Sequence, residues 1–244
     1  MPEELFRDRG RAESFGSIAG LYDRYRPAPA PEFVDDLVAL KPAKVLDIGC
    51  GTGKVARELT QRGLDVLGVE LDERMAGIAR EHGLEVDVSA FETWDDRGRT
   101  FDLITCGDAW HWIDPERGWR KIGAVLRPGG TVVRFWNHNE IDEPVRSALL
   151  AVHERVLPEI EHRTPERTRG GDDPRVEHRV YPWVRTYSAD EWVALIATYS
   201  VNQTLEPSRL AELQRGLHAA ITAHGGTVVV HGSTDVSWSR AAPR

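Results

Sequence analysis

The most informative stretch of this 244-residue sequence covers residues 45–56 and reads VLDIGCGTGKVA. A short apolar run leads into a loop with glycine at every second position, Gly49, Gly51 and Gly53, and a helical pattern follows. Glycines let the backbone turn tightly and let a ligand approach without meeting a Cβ atom. The first turn of the next helix offers free N–H groups to a polar or acidic ligand. The stretch therefore predicts a strand, a ligand-binding loop and a helix.

The glycine spacing argues against two common nucleotide-binding loops. The dinucleotide fingerprint G-x-G-x-x-G, counted from Gly49, would need its third glycine where Lys54 stands. The P-loop G-x-x-x-x-G-K-[ST] fits Gly53 and Lys54, but it would need glycine at position 48 and Ser or Thr at position 55. The sequence thus disfavours a nicotinamide enzyme and leaves the pattern D-x-G-x-G-x-G.

Two acidic residues lie where a ligand of this loop would bind. Asp47, two residues before the first glycine, suits a ligand that carries an ammonium group. Glu70 ends the next apolar run, and an acid at the carboxyl end of a parallel strand can hold both ribose hydroxyls. An aminoacyl-nucleoside fits both acids. The alternatives are that Asp47 caps the loop and that Glu70 is a solvated strand end.

Short apolar runs alternate with helical patterns from residue 43 to residue 136. The apolar runs are 43–48, 65–70, 84–88, 101–106 and 131–136, and the helical patterns are 54–62, 73–82 and 115–126. This alternation predicts right-handed βαβ units and an α/β fold with a parallel sheet buried on both faces.

The amino-acid composition and charge exclude some kinds of binding partner. Lys and Arg total 31 against 39 Asp and Glu, and a net charge of -8 disfavours general nucleic-acid binding. No apolar run approaches the ~20 residues that span a bilayer, and the charged first 16 residues lack a signal-peptide core. Cys50 and Cys106 are expected to be reduced core thiols. We therefore expect a cytoplasmic monomer or homodimer with no membrane or nucleic-acid partner and no metal.

Several motifs together resemble class I S-adenosylmethionine-dependent methyltransferases: VLDIGCGTG at 45–53, Glu70, FDLITCGDAWHW at 101–112 and LRPGG at 126–130. Three further motifs resemble small-molecule members of the trans-aconitate methyltransferase-like group: YDRYRP at 22–27, AWHW at 109–112 and FWN at 135–137. The resemblance covers about residues 15–137. It implies direct methyl transfer from S-adenosylmethionine to an O, N, S or C nucleophile of a small molecule, such as a carboxylate or a secondary metabolite.

The resemblance also implies an overall architecture. We expect a Rossmann-like, seven-stranded, mostly parallel sheet in the order 3-2-1-4-5-7-6, with helices on both faces. Residues 227–238 would supply a hairpin strand, with a bulge or turn at Gly232. The chain would be a single methyltransferase domain. Its parts would be an N-terminal helical lid (1–42), a cofactor-binding core (43–136), a substrate-side insert (137–200) and a C-terminal helix and β-hairpin tail (201–244).

Two of these parts are expected to close over the site. The stretch 137–185 is long, polar and broken by prolines, with one helix at 143–156 and an exposed loop at 164–178. Loops of that length are usually functional or disordered. We expect this insert and residues 15–26 to close from opposite sides, because methyl transfer to a weak nucleophile gains from the exclusion of water.

The resemblance implies that one set of positions holds the cofactor by its methionine part, its ribose or its adenine. These positions are Tyr22, Arg26, Asp47, Gly49, Gly51, Gly53, Glu70, Leu71, Ser89, Ala90, Phe91, Cys106 and Gly107. Among them, Glu70 would hold the ribose, and Tyr22 and Arg26 would cover the methionine carboxylate. Many members have an acid after the third strand that bonds the adenine amine, whereas this chain has Ser89 and Ala90 there.

A second set, after the fourth and fifth strands, is expected to meet the acceptor. The predicted substrate contacts are Trp110, Trp112, Asn137 and His138. His111 is the candidate general base or orienting group, because the pKa of histidine lies near working pH. A carboxylate acceptor would need no base. The alternatives are that His111 is hydrogen-bonded in the core, that a tryptophan packs on the following helix, and that Asn137 and His138 cap a loop.

Two other functions compete with small-molecule methylation. A protein or RNA methyltransferase is disfavoured by the acidic net charge and by GDAWHW at residues 107–112, where an amino-group methyltransferase of the N-P-P-[YF] type would have its motif. A non-catalytic S-adenosylmethionine-binding protein could share the fold. The intact glycine loop and Glu70 favour an enzyme.

Overall fold

A computed structural model describes residues 5–158 and 176–240 and shows a seven-stranded sheet. The strands are β1 (Val45–Ile48), β2 (Val66–Glu70), β3 (Glu85–Val88), β4 (Phe101–Gly107), β5 (Leu126–Ile141), β6 (Val176–Ser188) and β7 (Thr227–Arg240). Their order is β3-β2-β1-β4-β5-β7-β6. The first five run parallel, and β7 is antiparallel to both β5 and β6. The predicted strand order and the predicted hairpin strand are confirmed.

The helices connect the strands close to the predicted positions. They are α1 (Arg9–Glu13), α2 (Ala19–Tyr25), α3 (Pro31–Ala39), α4 (Lys54–Gln61), α5 (Glu73–Glu81), α6 (Pro115–Val125), α7 (Val145–Val156), α8 (Ala189–Ala197), α9 (Ser200–Gln203) and α10 (Pro207–Ala223). Capping side chains define several N-termini: Asp72 accepts from the Arg74 N–H, and Asp114 accepts from the Arg117 N–H. Short 3-10 turns lie at Leu5–Arg7, Ser14–Ile18, Phe91–Thr93 and Trp110–Trp112.

Three apolar clusters hold these layers together. The first packs α3, α4 and α5 on one face of the sheet, with Phe33 and Leu59 fully buried. The second packs α6 on the opposite face, around Leu46 and Ile104. The third joins α7, α8 and α10 to the start of β7. Burial on both faces explains why β1 is apolar at nearly every position.

The polar stretch after residue 136 differs from the expected insert. Residues 137–141 continue β5, and residues 176–188 form β6, so both ends of the predicted irregular region belong to the sheet. Residues 131–141 pair in unbroken register with β7. One face of this part of the sheet is exposed to solvent, so polar residues are compatible with strands here. A prediction from apolar content alone therefore made these strands too short. Residues 159–175, which include most of the predicted exposed loop, lie outside the described residues.

The bulge or turn expected at Gly232 is wrong. Residues 227–239 of β7 pair with β6 without any shift of register. Glycine is needed at this position for another reason, because the Trp183 ring crosses it. A Cβ atom on Gly232 would lie 2.2 Å from atoms of that ring. A glycine within a strand can mark such a close approach as well as a bulge.

Candidate active site

A cleft opens at the carboxyl ends of the parallel strands and contains two adjoining pockets. The smaller, about 720 Å³, lies beside β2 and is called the β2-side pocket. The larger, about 1720 Å³, extends towards β5 and is called the β5-side pocket. Both are lined by Phe15, Tyr22, Gly49, Gly107, Asp108 and Trp112. The shared lining makes the two pockets one continuous site.

The glycine loop forms the floor where the pockets meet. Gly49 has a φ of +63°, and a Cβ atom there would lie 2.5 Å from the Cβ of Ala109. Gly51 also lines the β2-side pocket. Gly53 lies outside both linings; with a φ of +83°, it precedes α4 and packs against Leu84, whose Cδ1 would be 2.1 Å from an added Cβ. The structure thus shows a packing role for this glycine and does not bring it to the lining of either pocket.

Glu70 is held rigidly at the edge of the β2-side pocket. Its carboxylate accepts hydrogen bonds from the backbone N–H groups of Gly51 (2.8 Å), Leu71 (2.8 Å) and Asp72 (3.0 Å). Burial raises the pKa of Glu70, and these three N–H donors oppose that rise. Glu70 is therefore not a solvated strand end, because its orientation is set by the backbone of the loop that it faces.

Asp47 is the second acid of the site and lines the β5-side pocket. Its side chain is buried, and the Thr105 hydroxyl donates to Oδ1 at 2.7 Å. Burial, with a smaller contribution from the charge of Glu70, raises the pKa of Asp47 to about 7. A cationic ligand group in this pocket would stabilise the ionised form.

The walls of the β2-side pocket are mostly apolar. The predicted residues Leu71, Ala90 and Phe91 line it, together with Ser89 and the side chain of Met75. Such a slot suits a flat aromatic ring. Of the two predicted backbone contacts after β4, Gly107 lines both pockets, whereas Cys106 is buried in the core and lines neither.

Glu92 lines the same pocket and was not identified from the sequence. Its Oε1 accepts hydrogen bonds from the Asp114 N–H and from Arg9 Nη2, both at 3.0 Å. Its Oε2 is buried and has no hydrogen-bond partner among residues 5–158 and 176–240. The sequence did contain a signal for it, because Glu92 is an acid in the segment after the third strand. It lies one turn after Ser89, the position at which an acid was expected.

The N-terminal segment forms the roof of the cleft. The Phe15 ring meets Tyr22 edge-on at 5.9 Å and Trp112 at 6.1 Å between ring centroids. Arg74 Nη2 donates to the Glu13 carbonyl at 2.9 Å and ties this segment to the start of α5. Burial raises the pKa of the Tyr22 phenol. The structure therefore places Tyr22 under an aromatic roof above both pockets.

Arg26 connects the roof to the far side of the cleft. Its Nε donates to Thr198 Oγ1 at 2.9 Å, and its Nη2 donates to the Thr198 carbonyl at 3.0 Å. The guanidinium lies 4.4 Å from the Tyr199 ring centroid and 5.2 Å from that of Tyr22. Arg26 lines the β5-side pocket, and in the described part of the chain it forms no ion pair with a carboxylate.

A hydrogen-bonded chain holds Asp108 just after β4. Asp108 has a φ of +49°, and its N–H donates to the Phe135 carbonyl at 3.0 Å. Its carboxylate accepts from the N–H of Asn137 at 3.2 Å and from Asn137 Nδ2 at 2.8 Å. The buried Thr234 hydroxyl donates to Asn137 Oδ1 at 2.8 Å. Asn137 lines the β5-side pocket. Its side-chain amide, however, is already hydrogen-bonded to Asp108 and Thr234, as the loop-capping alternative expected.

The remaining predicted acceptor contacts separate into two groups. His111, Trp112 and His138 line the β5-side pocket. Desolvation lowers the pKa of the His111 imidazole against the opposing charge of Asp108, so the ring is neutral at pH 7. Trp110 lines neither pocket; its ring packs 5.0 Å from the Trp119 ring on α6, as the packing alternative expected.

Other lining residues come from a turn far along the chain. Tyr199, directly before α9, and Ser200 and Val201, the first residues of α9, line the β5-side pocket. Asn139 Nδ2 donates to the Tyr199 hydroxyl at 2.9 Å. No local pattern in the sequence marks this turn as part of a site. In the described ranges, no group of three or more His, Cys, Asp or Glu residues could hold a metal ion, and no helix is long and apolar enough to cross a membrane.

Comparison with known proteins identifies the core. Residues 45–130 match the family model described as a methyltransferase domain. The chain is 38% identical over 132 residues to an uncharacterised methyltransferase of Mycobacterium bovis, a match that covers 53% of this chain and 54% of that protein. It is 34% identical over 143 residues to a ubiquinone biosynthesis O-methyltransferase of Bordetella avium, covering 51% of this chain and 59% of that protein. The chain thus spans about half the length of the curated relatives it matches.

Solved structures share the fold. One described as a type II methyltransferase from Anaeromyxobacter dehalogenans has a TM-score of 0.69 at 20% identity, covering 90% of this chain and 100% of that chain. A Haemonchus contortus phosphoethanolamine N-methyltransferase, in complex with phosphomonomethylethanolamine and S-adenosylhomocysteine, has a TM-score of 0.50 at 18% identity, covering 100% of this chain and 61% of that chain. Residues 45–130 therefore match a methyltransferase domain, and the chain shares the fold of these solved structures.

Proposed function

We propose that this protein transfers a methyl group from S-adenosylmethionine to a small molecule bound in the β5-side pocket. The observation that carries this proposal is the continuity of the two pockets. They meet at Gly107 and Asp108, at the carboxyl end of β4, under one aromatic roof. A cofactor along the glycine loop and an acceptor beside β5 would therefore lie side by side in one cleft.

The residues of the β2-side pocket fit the nucleoside part of the cofactor. Glu70, fixed by three backbone N–H groups, would hold the ribose hydroxyls. Leu71, Ala90 and Phe91 would flank the adenine. Oε2 of Glu92 has no hydrogen-bond partner in the described part of the chain, and it would offer a buried acceptor for the exocyclic amine of the adenine. This acid would replace the one that the resemblance expects at the position of Ser89.

The methionine part would extend across Gly49 into the β5-side pocket. The ionised carboxylate of Asp47 would attract its ammonium group, and the hydroxyl of Tyr22 and the guanidinium of Arg26 would face its carboxylate. Arg26 can serve there because Thr198, its hydrogen-bonding partner, carries no charge. Binding both ends of one zwitterion would place its charges beside groups of opposite sign.

The cofactor and the protein would make different contributions to the reaction. When bound, S-adenosylmethionine supplies a methyl group already activated by a sulfonium, so the chain mainly aligns the acceptor and excludes water. Phe15, Tyr22 and Trp112 cover the meeting point of the pockets. His111, neutral at pH 7, could accept a proton from the acceptor or orient it.

The net charge of -8 favours a small acceptor over an RNA. The match to a ubiquinone biosynthesis O-methyltransferase, restricted to about half of each chain, supports a hydroxyl acceptor as one candidate. The resemblance to trans-aconitate methyltransferases makes a carboxylate another. The buried, unpaired Cys50 and Cys106 support a reducing, cytoplasmic location.

Calorimetry with S-adenosylhomocysteine tests cofactor binding directly. Glu70→Ala should weaken binding by about 1–3 kcal/mol, because the ribose hydroxyls would lose a charged acceptor. The control is Glu73→Ala, which removes an exposed acid on α5 that pairs with Arg80. Equal affinity of Glu70→Ala and the wild type would contradict the site assignment, and absence of methyl transfer in mass spectra across a broad acceptor panel would contradict the enzymatic function.

Closure of the roof is a separate part of the proposal. Residues 15–26 should exchange their amide hydrogens more slowly when S-adenosylhomocysteine is added, and so should residues 137–141 when an acceptor is added as well. Exchange that stays the same in both segments would mean that the site is open and that the lid hypothesis is wrong.

A further inference from the structure

Asp108 is held in an unusual backbone conformation at the centre of the cleft. Its φ of +49° lies in the left-handed region, which residues other than glycine rarely adopt. Non-glycine residues in this region are found at functional sites, where the surroundings hold them in place. Asp108 lines both pockets, so the constrained residue lies where cofactor and acceptor would meet.

The carboxylate of Asp108 is oriented from behind by neutral groups. Asn137 donates to both of its oxygens, one from the backbone and one from the side-chain amide. The Asn137 amide is itself fixed by the hydroxyl of Thr234, which is buried in β7. The hydrogen bonds from Thr234 to Asn137 and from Asn137 to Asp108 therefore fix the orientation of the carboxylate without neutralising its charge.

No cation pairs with Asp108 in the described part of the chain. Neither a lysine, an arginine nor a histidine lies within ion-pair distance among residues 5–158 and 176–240, and each carboxylate oxygen accepts a bond from Asn137 alone. An ionised carboxylate can accept about four hydrogen bonds. Unused acceptor capacity therefore faces the cleft, beside the neutral ring of His111.

We propose that Asp108 binds the nucleophilic group of the acceptor by accepting a hydrogen bond from its N–H or O–H, so that the acceptor is an amine or a hydroxyl compound. This inference rests on the proposed methyl transfer and names its substrate class. A carboxylate acceptor would bring a second negative charge against Asp108 and has no proton to donate. The structure thus favours a protic acceptor over the carboxylate that the trans-aconitate resemblance suggests.

The corresponding step conserves atoms and charge. The lone pair of the acceptor nitrogen or oxygen forms the new bond to the methyl carbon, while the carbon–sulfur bond breaks and its electron pair stays on the sulfur as a neutral thioether. The proton of the nucleophile passes to Asp108 and from there to solvent. Asn137 and Thr234 act as positioning residues, because they reach the acceptor only through Asp108.

Ligand-observed NMR on protein saturated with S-adenosylhomocysteine tests this inference. The probes are benzylamine, benzyl alcohol, phenol and benzoate, which present different groups on one aromatic ring. We expect the amine or a hydroxyl compound to bind at least about tenfold more tightly than benzoate, and Asp108→Asn to remove that preference. Asparagine tolerates the left-handed conformation, so this variant should keep the fold.

Two further variants separate the roles. Thr234→Val, which removes the last donor of the chain, should reduce the same preference partially without changing the melting temperature by more than a few degrees. Glu140→Gln, an exposed acid on β5, is the control for surface charge and should leave the preference unchanged.

The outcomes distinguish this inference from the proposed function. Wild-type affinity for S-adenosylhomocysteine in Asp108→Asn, together with a lost preference for protic probes, supports the inference. The inference is overturned if no amine or hydroxyl probe binds in a way that depends on Asp108. Absence of binding by all four probes counts as this result. Weaker cofactor affinity with unchanged probe preference also overturns it, because Asp108 would then hold the cofactor ammonium. Loss of cofactor binding in the wild type would instead contradict the proposed function.

Discussion

The two pockets of the cleft are built in different ways. Apart from the roof and the β4 edge, the β2-side pocket comes from the short continuous stretch 48–92, and its main polar group, Glu70, is held by backbone N–H groups. The β5-side pocket also includes Asp47 and part of the glycine loop, but it adds side chains from α2, from the segment after β4, from β5 and from the start of α9. A pocket made from local backbone can be recognised in a sequence, whereas one made from distant side chains depends on the packing of the whole chain.

The largest effect should follow a change in the backbone that the pockets share. Gly49→Val puts a β-branched residue at a φ of +63° and its Cβ within 2.5 Å of Ala109. The conformation alone costs about 1–3 kcal/mol. We expect a corresponding loss of unfolding free energy in denaturant titrations and no measurable S-adenosylhomocysteine binding by calorimetry.

The matched control for this change is Gly77→Ala. Gly77 lies in α5 with open space around its Cα, so alanine should be neutral or should stabilise the helix by about 0.5–1 kcal/mol. If Gly49→Val kept full cofactor affinity, the loop would not be the floor of the cofactor site.

A pH titration should show which pocket contains the titrating acid. Because the pKa of Asp47 is raised from 3.8 to about 7, its ionised form is scarce below pH 7. Cofactor affinity should therefore fall about tenfold per pH unit below 7. Calorimetry in buffers of different ionisation enthalpy should also detect proton release on binding near pH 7.

Asp47 also affects stability in a defined direction. Between pH 3.8 and about 7 the folded state holds a proton that the unfolded state loses, so this group makes the ligand-free protein less stable as pH rises through that window. Asp47→Asn should flatten both pH dependences. Affinity that is the same at pH 6 and pH 8 in the wild type would exclude Asp47 as the ammonium partner.

A smaller effect should separate the two roles considered for Tyr22. Tyr22→Phe keeps the ring against Phe15 and removes the hydroxyl. If the hydroxyl contacts the cofactor carboxylate, affinity should fall by about 0.5–1.5 kcal/mol. Tyr25→Phe on the same helix is the control, because Tyr25 lines neither pocket. Wild-type affinity and turnover in Tyr22→Phe would leave only the packing role.

The smallest effect on ligands should come from Trp110. Its ring packs against Trp119 and Gly118 of α6, outside both pockets. Trp110→Phe should lower the unfolding free energy by about 1 kcal/mol through lost packing while cofactor and acceptor affinities stay unchanged. Trp112→Phe, at a residue that lines both pockets, should show the opposite pattern in the same two measurements.

Much of the cofactor side was predictable from the sequence because its signals are local. The glycine loop needs particular φ values, and an acid at the end of β2 follows from strand direction alone. Gly53 and Cys106, which were also predicted to contact the cofactor, lie outside both pocket linings for one reason. Spacing places a residue in a loop or strand, but the packing of the neighbouring elements decides which way it faces, and Leu84 occupies the space beside Gly53.

The acceptor side was less predictable because several of its residues act through partners that are distant in sequence. Asn137 was expected to touch the acceptor, yet its amide is bonded to Asp108 and Thr234, 29 and 97 residues away. Tyr199 lines the β5-side pocket and accepts a hydrogen bond from Asn139, 60 residues before it. Nothing in a local pattern records such pairings.

The sequence by itself determined the α/β order, the glycine loop and the two acids, because each depends on residue type and short spacing. Only the tertiary structure decided that β5 and β6 extend into polar segments and that Glu92 meets the β2-side pocket. It also decided that no cation among residues 5–158 and 176–240 pairs with Asp108 at the meeting point. The physical reason is that short-range backbone conformation is encoded residue by residue. The surroundings of a charged side chain, by contrast, are set by every element that packs against it.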